Sequence, residues 1–228
     1  MIPASDFFKL PKSFPFREFF LPQDSPWQWI PKIEEALSSY HWQKGSSLKY
    51  TSAKAEIHGT VYLHPSVQII GSCYIQGPAY IGAGTQIRPG AYIRGNVIVG
   101  QSCVLGNSCE YKNCLLLNNV ETPHYNYIGD SILGNNVHLG AGVILANLRL
   151  DRKNITLKLP DESIKTGLRK MGAIIGDYSE IGCNAVLQPG TLIGNHSTIM
   201  STIAFGGYLP ENHLVRYEQS SKPVILPK

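Results

Sequence analysis
The chain of 228 residues is poor in charge, in paired cysteines and in long apolar runs. No segment approaches the ~20 apolar residues of a membrane-spanning helix. The opening MIPASDFFKLPKSFPFREFF lacks a charged region followed by a continuous apolar stretch, so no secretory leader is read there and a cytoplasmic protein without membrane contact is expected. The cysteines Cys73, Cys103, Cys109, Cys114 and Cys183 are odd in number and form no CxxC pair. That argues against a disulfide framework, and no zinc pattern is present. Charged residues make up 16% of the chain and the net charge is +4. Such mild basicity suits small anionic molecules, and without a dense Lys/Arg stripe it predicts no nucleic-acid partner.

What the chain has instead is a period. Ile57, Leu63, Ile69, Ile75, Ile81, Ile87, Ile93, Val99 and Leu105 stand six residues apart, the phase runs on through Tyr111 and Leu117, and it returns at Ile175, Ile181, Leu187, Ile193 and Ile199. A six-residue repeat fits neither an amphipathic helix nor an alternating hairpin; it is the mark of parallel β-helices. The predicted fold is all-β: a left-handed parallel β-helix of hexapeptide repeats, against the usual right-handed crossover. Three hexapeptides per triangular coil over residues 57–147 and 173–205 give about seven coils, stacked at ~4.8 Å. Cys73, Cys103 and Cys109 share a phase with Val61, Val67, Ala79, Ala91 and Val97, as small core residues would.

Three regions follow: an N-terminal arm at 1–50, the β-helix at 51–205 with an insertion at about 148–172, and a C-terminal tail at 206–228. Six of the fifteen prolines and six of the seven phenylalanines precede residue 32, together with Trp27 and Trp29. This composition predicts an extended aromatic arm lying on a neighbouring surface, its own domain's or a sister subunit's. The spacing of Ile33, Ala36, Leu37 and Tyr40 predicts a short helix over 32–40. The repeat is broken twice, by a slip at 121–127 and by the Lys/Arg-rich insertion after Asn147. Solenoid insertions emerge as loops on one face, often the binding face.

The first break carries polar and aromatic residues unusual in a repeat coil. Glu110 precedes His124 by fourteen residues, near enough to one coil to predict that the two lie side by side, the arrangement that general-base chemistry uses. The ordered segments IRPG at 87–90, GNSCEYKN at 106–113, PHYNYIGDSILG at 123–134, LGAG at 139–142 and ANLRLD at 146–151 resemble the acetyltransferase half of the bifunctional sugar-1-phosphate nucleotidylyltransferase/glucosamine-1-phosphate N-acetyltransferases. The insertion ending GLRKMGAIIGD is similar to their archaeal-type subgroup. The resemblance spans roughly 57–205, and the 50 residues ahead of it are too few for a nucleotidyltransferase domain.

The resemblance implies acetyl transfer from acetyl-CoA to an amino-sugar phosphate, glucosamine 1-phosphate foremost, in UDP-N-acetylglucosamine synthesis. It implies a homotrimer with sites between subunits, a separate nucleotidyltransferase as possible partner, and no metal requirement for the transfer. By residue, it makes His124 the general base, Glu110 its orienting carboxylate and Asn147 an amide that positions donor or acceptor. Arg88, Lys112 and Tyr127 would hold the sugar phosphate, with His138 standing where the family has Asn. Cys183, Ser201 and Lys170 would line the acetyl-CoA site, with Arg216 of the tail as a further candidate. Two other readings use the same repeats: a non-catalytic trimeric scaffold or sugar-nucleotide-binding protein, and a metal-dependent hydratase. The hydratase needs three histidines, and the close pair His58 and His64 lies far from His124 and His138.

Overall fold
The computed structural model of the protein describes residues 2–40 and 55–217. The expected boundary at 50/51 and the tail beyond 217 lie outside the described residues. The repeats form three parallel sheets of eight strands each, with successive strands passing from one face to the next and every third strand returning to the same sheet. This is the expected left-handed parallel β-helix with its aromatic arm and short helix. The first face begins with Ala55–His58 and ends with Ala204–Phe205, the second runs from Val61–Leu63 to Tyr208–Leu209, and the third from Gln68–Ile69 to Leu214–Val215. The described residues make eight coils because winding continues past residue 205: Leu209 and Val215 still occupy inward slots, though Leu209 follows Phe205 by a shortened step.

Ile57 stacks on Ile75 and Ile75 on Ile93, a register of 18 residues per coil. From Val99 to Leu116, and from Tyr111 to Ile128, the register is 17. The missing residue lies at the corner between the first and second faces. Gly95 and Asn96 join the strands Tyr92–Arg94 and Val97–Val99, whereas Asn113 alone joins Glu110–Lys112 to Cys114–Leu116. The slip therefore precedes 121–127, where it was expected, and Leu116 rather than Leu117 points inward. The run Cys114-Leu115-Leu116-Leu117 is apolar throughout, so hydrophobicity could not reveal the change of phase. Leu117 packs outward instead, beneath the arm.

The arm covers the second face. Phe7, Phe16, Phe20, Trp29, Ile33 and Leu37 are buried against Tyr80, Ile98, Leu115, Ile132 and Leu192 of the β-helix. The helix Trp29–Ser39 starts earlier than expected, since Pro31 falls in its first turn, where a missing N–H costs nothing. A turn at Pro26–Gln28 leads into it, with Ser25 N–H bonded to Gln28 Oε1 at 2.8 Å. Beside the arm, the insertion folds into an antiparallel hairpin, Thr156–Lys158 with Ser163–Lys165, anchored by buried Ile155, Leu157 and Met171. Its Lys and Arg side chains face solvent. The first and third faces carry no such cover among the described residues, and no described helix is long and apolar enough to cross a membrane.

Trp29 is fully buried and stacks on Phe8 at 5.3 Å between ring centroids. Trp29→Ala should lower the unfolding free energy by about 3–5 kcal/mol, the usual loss for a buried aromatic. Urea unfolding followed by far-UV circular dichroism measures it, and a loss below ~1 kcal/mol would mean that the arm is not part of the cooperative core.

Candidate active site
His124 ends the strand Glu121–His124 at the corner between the third and first faces. That corner is a continuous column of backbone hydrogen bonds. Ser108 N–H bonds Pro89 O, Tyr125 N–H bonds Asn107 O, Gly142 N–H bonds His124 O, Asn184 N–H bonds Ala141 O, and Thr202 N–H bonds Cys183 O. Arg88 therefore sits two coils before His124 on one edge, and Cys183 and Ser201 occupy the coils beyond it. His124 is exposed, and among the described residues its ring makes no side-chain hydrogen bond. Tyr125 beside it is 62% exposed at φ 54°, an unusual backbone state for an aromatic residue.

Across this edge, the first face carries a polar cluster. Glu110 lies between Tyr92 and Tyr127 in the ladder, and Lys112 lies opposite Gly129. Glu110 accepts a hydrogen bond from Arg94 at 2.5 Å. Among the described residues no hydrogen bond joins it to His124, which lies fourteen residues on, at the end of the third-face strand of the next coil. The histidine–carboxylate contact nearest His124 is another one: His138 lies 3.3 Å from Glu121, with Glu180 as its next neighbour in register.

The far side of the first face closes on Asp130, a carboxylate only 4% exposed. Asn147 Nδ2 donates to its Oδ2 at 2.5 Å, Asn113 Nδ2 to its Oδ1 at 2.8 Å, and the Lys112 ammonium lies 3.4 Å away. Asn147 Nδ2 also reaches the Tyr127 hydroxyl at 3.1 Å. Burial, then the charges of Asp130 and Glu110, push the Tyr127 phenol above its ordinary pKa, partly offset by the Asn147 bond and by Arg94. Tyr127 thus keeps its proton at neutral pH, and with its oxygen accepting from Asn147, that proton is free to be donated outward.

Lys112, Tyr127 and Asn147 are thus drawn together around Asp130, while Glu110 starts the first-face strand on the edge where His124 ends the third-face strand before it. Lys170 is exposed where the insertion returns, beside Met171, whose N–H bonds Asn147 O at 2.9 Å. It belongs to the Asn147 edge and not to that of Cys183 and Ser201. Arg216 follows the last strand of the third face and is exposed. Of the cations, Arg94 and Lys112 face carboxylates, whereas Arg88 forms no ion pair among the described residues. Arg94 and Asp130 were not singled out from sequence. Asp130 could have been: it occupies a left-handed corner slot, φ 49°, that Asn96 and Asn113 fill in the coils below. His58 pairs with Glu56 and His64 with Ser66, and the described residues hold no group of three or more His, Cys, Asp or Glu suited to a metal ion.

Residues 75–158 match a family model described as the GMPPB C-terminal domain. The bifunctional sugar-1-phosphate nucleotidylyltransferase/acetyltransferase of Sulfurisphaera tokodaii is 37% identical over 90 residues, 40% of this chain and 22% of that protein. The bifunctional protein GlmU of Methanococcus aeolicus is 41% identical over 90 residues, with the same shares. A putative uncharacterized acetyltransferase of Escherichia coli, YaiX, is 30% identical over 101 residues, 44% of each chain. The chain thus spans less than half the length of these relatives. By its coils the chain is a hexapeptide-repeat β-helix protein. Within that class it is related to the acetyltransferase-like part of the bifunctional sugar-1-phosphate nucleotidylyltransferase/acetyltransferases, over a shorter stretch than its motifs suggested.

Gly129 gives the cluster its room: a Cβ there would stand 2.5 Å from the Tyr127 hydroxyl and 2.8 Å from Asn147 Nδ2. Both are ends of side chains, so Gly129→Ala should fold normally while displacing them. With burial and the Asp130 charge relieved, the Tyr127 pKa should fall toward its ordinary value of about 10. NMR titration of ring-labelled tyrosine reads this directly; an unchanged Tyr127 would show that the two side chains do not depend on the glycine.

Proposed function
We propose that the chain is an acyltransferase that moves the acetyl group of acetyl-CoA to the amine of an amino-sugar 1-phosphate, with glucosamine 1-phosphate the first acceptor to test. The observation that carries this reading is the exposed His124, without a side-chain partner among the described residues, at the edge of a face furnished with Tyr127, Asn147 and Lys112. Relatives named as acetyltransferases support it. His124 takes a proton from the acceptor ammonium, the freed amine forms a bond to the thioester carbonyl carbon, and the C–S bond breaks to release the CoA thiolate, which is then protonated. Arg88 holds the sugar phosphate through its guanidinium fork. The Tyr127 proton is donated to an oxygen of the bound sugar. Acetyl-CoA runs past Cys183 and Ser201, its phosphates toward Lys170 and Arg216.

Lys170 stands on a different edge from Cys183 and Ser201, so this donor path needs two chains side by side. The assembly we propose is accordingly a homotrimer with its sites between subunits, where a partner can supply His124 with the carboxylate it lacks among the described residues of one chain. In this reading the protein works in the cytoplasm, in UDP-N-acetylglucosamine synthesis, beside a separate nucleotidyltransferase. The competing reading, a scaffold that binds sugar nucleotides without turnover, is favoured by the commitment of Glu110 to Arg94.

A free-thiol assay of CoA release across amino-sugar phosphates separates the two. Turnover should appear, and His124→Ala should lower it by about 10²–10⁴, the usual worth of a positioned base. Silence across the panel would leave the scaffold. Light scattering should give three times the chain mass, and a monomer would remove the inter-subunit site.

A further inference from the structure
The amide of Asn147 has a fixed orientation, and Asp130 is what fixes it. A carboxylate only accepts hydrogen bonds, so the atom 2.5 Å from Asp130 Oδ2 must be the amide nitrogen of Asn147. The second proton of that nitrogen goes to the Tyr127 hydroxyl at 3.1 Å. Both donors are consumed, and the carbonyl oxygen Oδ1 is left without a protein partner among the described residues. Asp130 is held in turn. Asn113 donates to its other oxygen at 2.8 Å, Lys112 lies 3.4 Å away, and the carboxylate is 4% exposed. A corner residue needs only the contact to Asn113 below it. The bond upward to Asn147 is made in addition to that corner contact.

We propose that Asp130 is a positioning residue: it holds the Asn147 amide so that its carbonyl oxygen accepts a hydrogen bond from the amine of the acceptor, and so selects substrates with a primary amine over their hydroxyl or acetylated counterparts. This rests on the acetyl-transfer reading of the site and names the group recognised there. An amine brings two or three N–H donors to one fixed acceptor. An N-acetylated sugar brings a single donor and added bulk, and therefore leaves as product. A hydroxyl brings one donor, which it also needs for transfer to a base.

Asp130→Asn makes the test sharp. Asparagine tolerates the left-handed backbone at φ 49° and can still accept from Asn113, so the corner is kept. Its new amide nitrogen, however, faces Asn147 Nδ2, and two donors cannot pair. The Asn147 amide must turn over, which spends its oxygen inside the cluster. The expected result is an unchanged circular dichroism spectrum, a KM for acetyl-CoA within about twofold of wild type, and kcat/KM for the amino-sugar phosphate lower by about 10- to 100-fold, the worth of a hydrogen bond to a charged group. The double variant D130N/N147D restores donor to acceptor and again leaves an oxygen facing outward, so it should recover at least about tenfold of that loss.

Equal acceptor KM and kcat/KM in D130N and wild type would overturn the proposal. So would a loss in D130N that the double variant fails to repair, since that marks a merely structural carboxylate. If wild type itself turns over no amino-sugar phosphate, the acetyl-transfer reading falls first. The clamp is then read by the Asn147 side-chain amide NMR signal, which should move in D130N and return toward its original position in the double variant.

Discussion
Everything outside the triangular core depends on one constraint, the stacking of each coil on the last in fixed parallel register. Most backbone N–H groups of the strands find their acceptor one coil away, so a side chain's neighbours are set by counting 17 or 18 residues along the chain. Outward groups meet only within a column, or across the short width of a strand. Glu110 accordingly has Tyr92 and Tyr127 as its ladder neighbours, and His124 has Asn107. No side-chain preference can override that geometry without unpairing buried backbone, which costs more than a surface contact returns.

The period of six made the fold legible because the inward slot tolerates little but Ile, Leu and Val, and hydrophobicity reports that slot directly. The aromatic arm was legible for a similar reason: six phenylalanines and two tryptophans must be covered, and the second face does so. Coil length was not legible. The deleted corner residue falls next to four consecutive apolar residues, Cys114 to Leu117, where any phase satisfies hydrophobicity. From that one residue came the misplaced slip. The insertion was also only half legible. Its charges suggested a loop, yet Ile155, Leu157 and Met171 turn it into a hairpin rooted beside the arm.

The shortened corner is also where the polar cluster lies. With Asn113 as the only residue between Lys112 and Cys114, and Asp130 stacked on it, two side chains that would otherwise point along an open corner are drawn against the end of the first face. One coil further, the same corner opens into the insertion just after Asn147, whose amide closes over Asp130. The departure from the 18-residue coil and the insertion thus act at one place. Sequence showed them as two separate irregularities because they lie about thirty residues apart along the chain.

The two carboxylates of the first face differ in how firmly they are held, and that difference separates what is preset from what can respond. Glu110 and Arg94 are 33% and 41% exposed. An ion pair so open to water contributes about 0–1 kcal/mol, less at physiological salt, so a neighbouring subunit or ligand offering a better donor can draw Glu110 away at little cost. Asp130 has no such freedom. It is nearly buried, and losing any of its donors would leave a desolvated charge, a penalty of several kcal/mol. The Asn147–Tyr127 side of the face is therefore fixed within a single chain, while the carboxylate nearest the His124 edge stays adjustable. A face built in this way can hold one half of its chemistry rigid and complete the other half on assembly or binding.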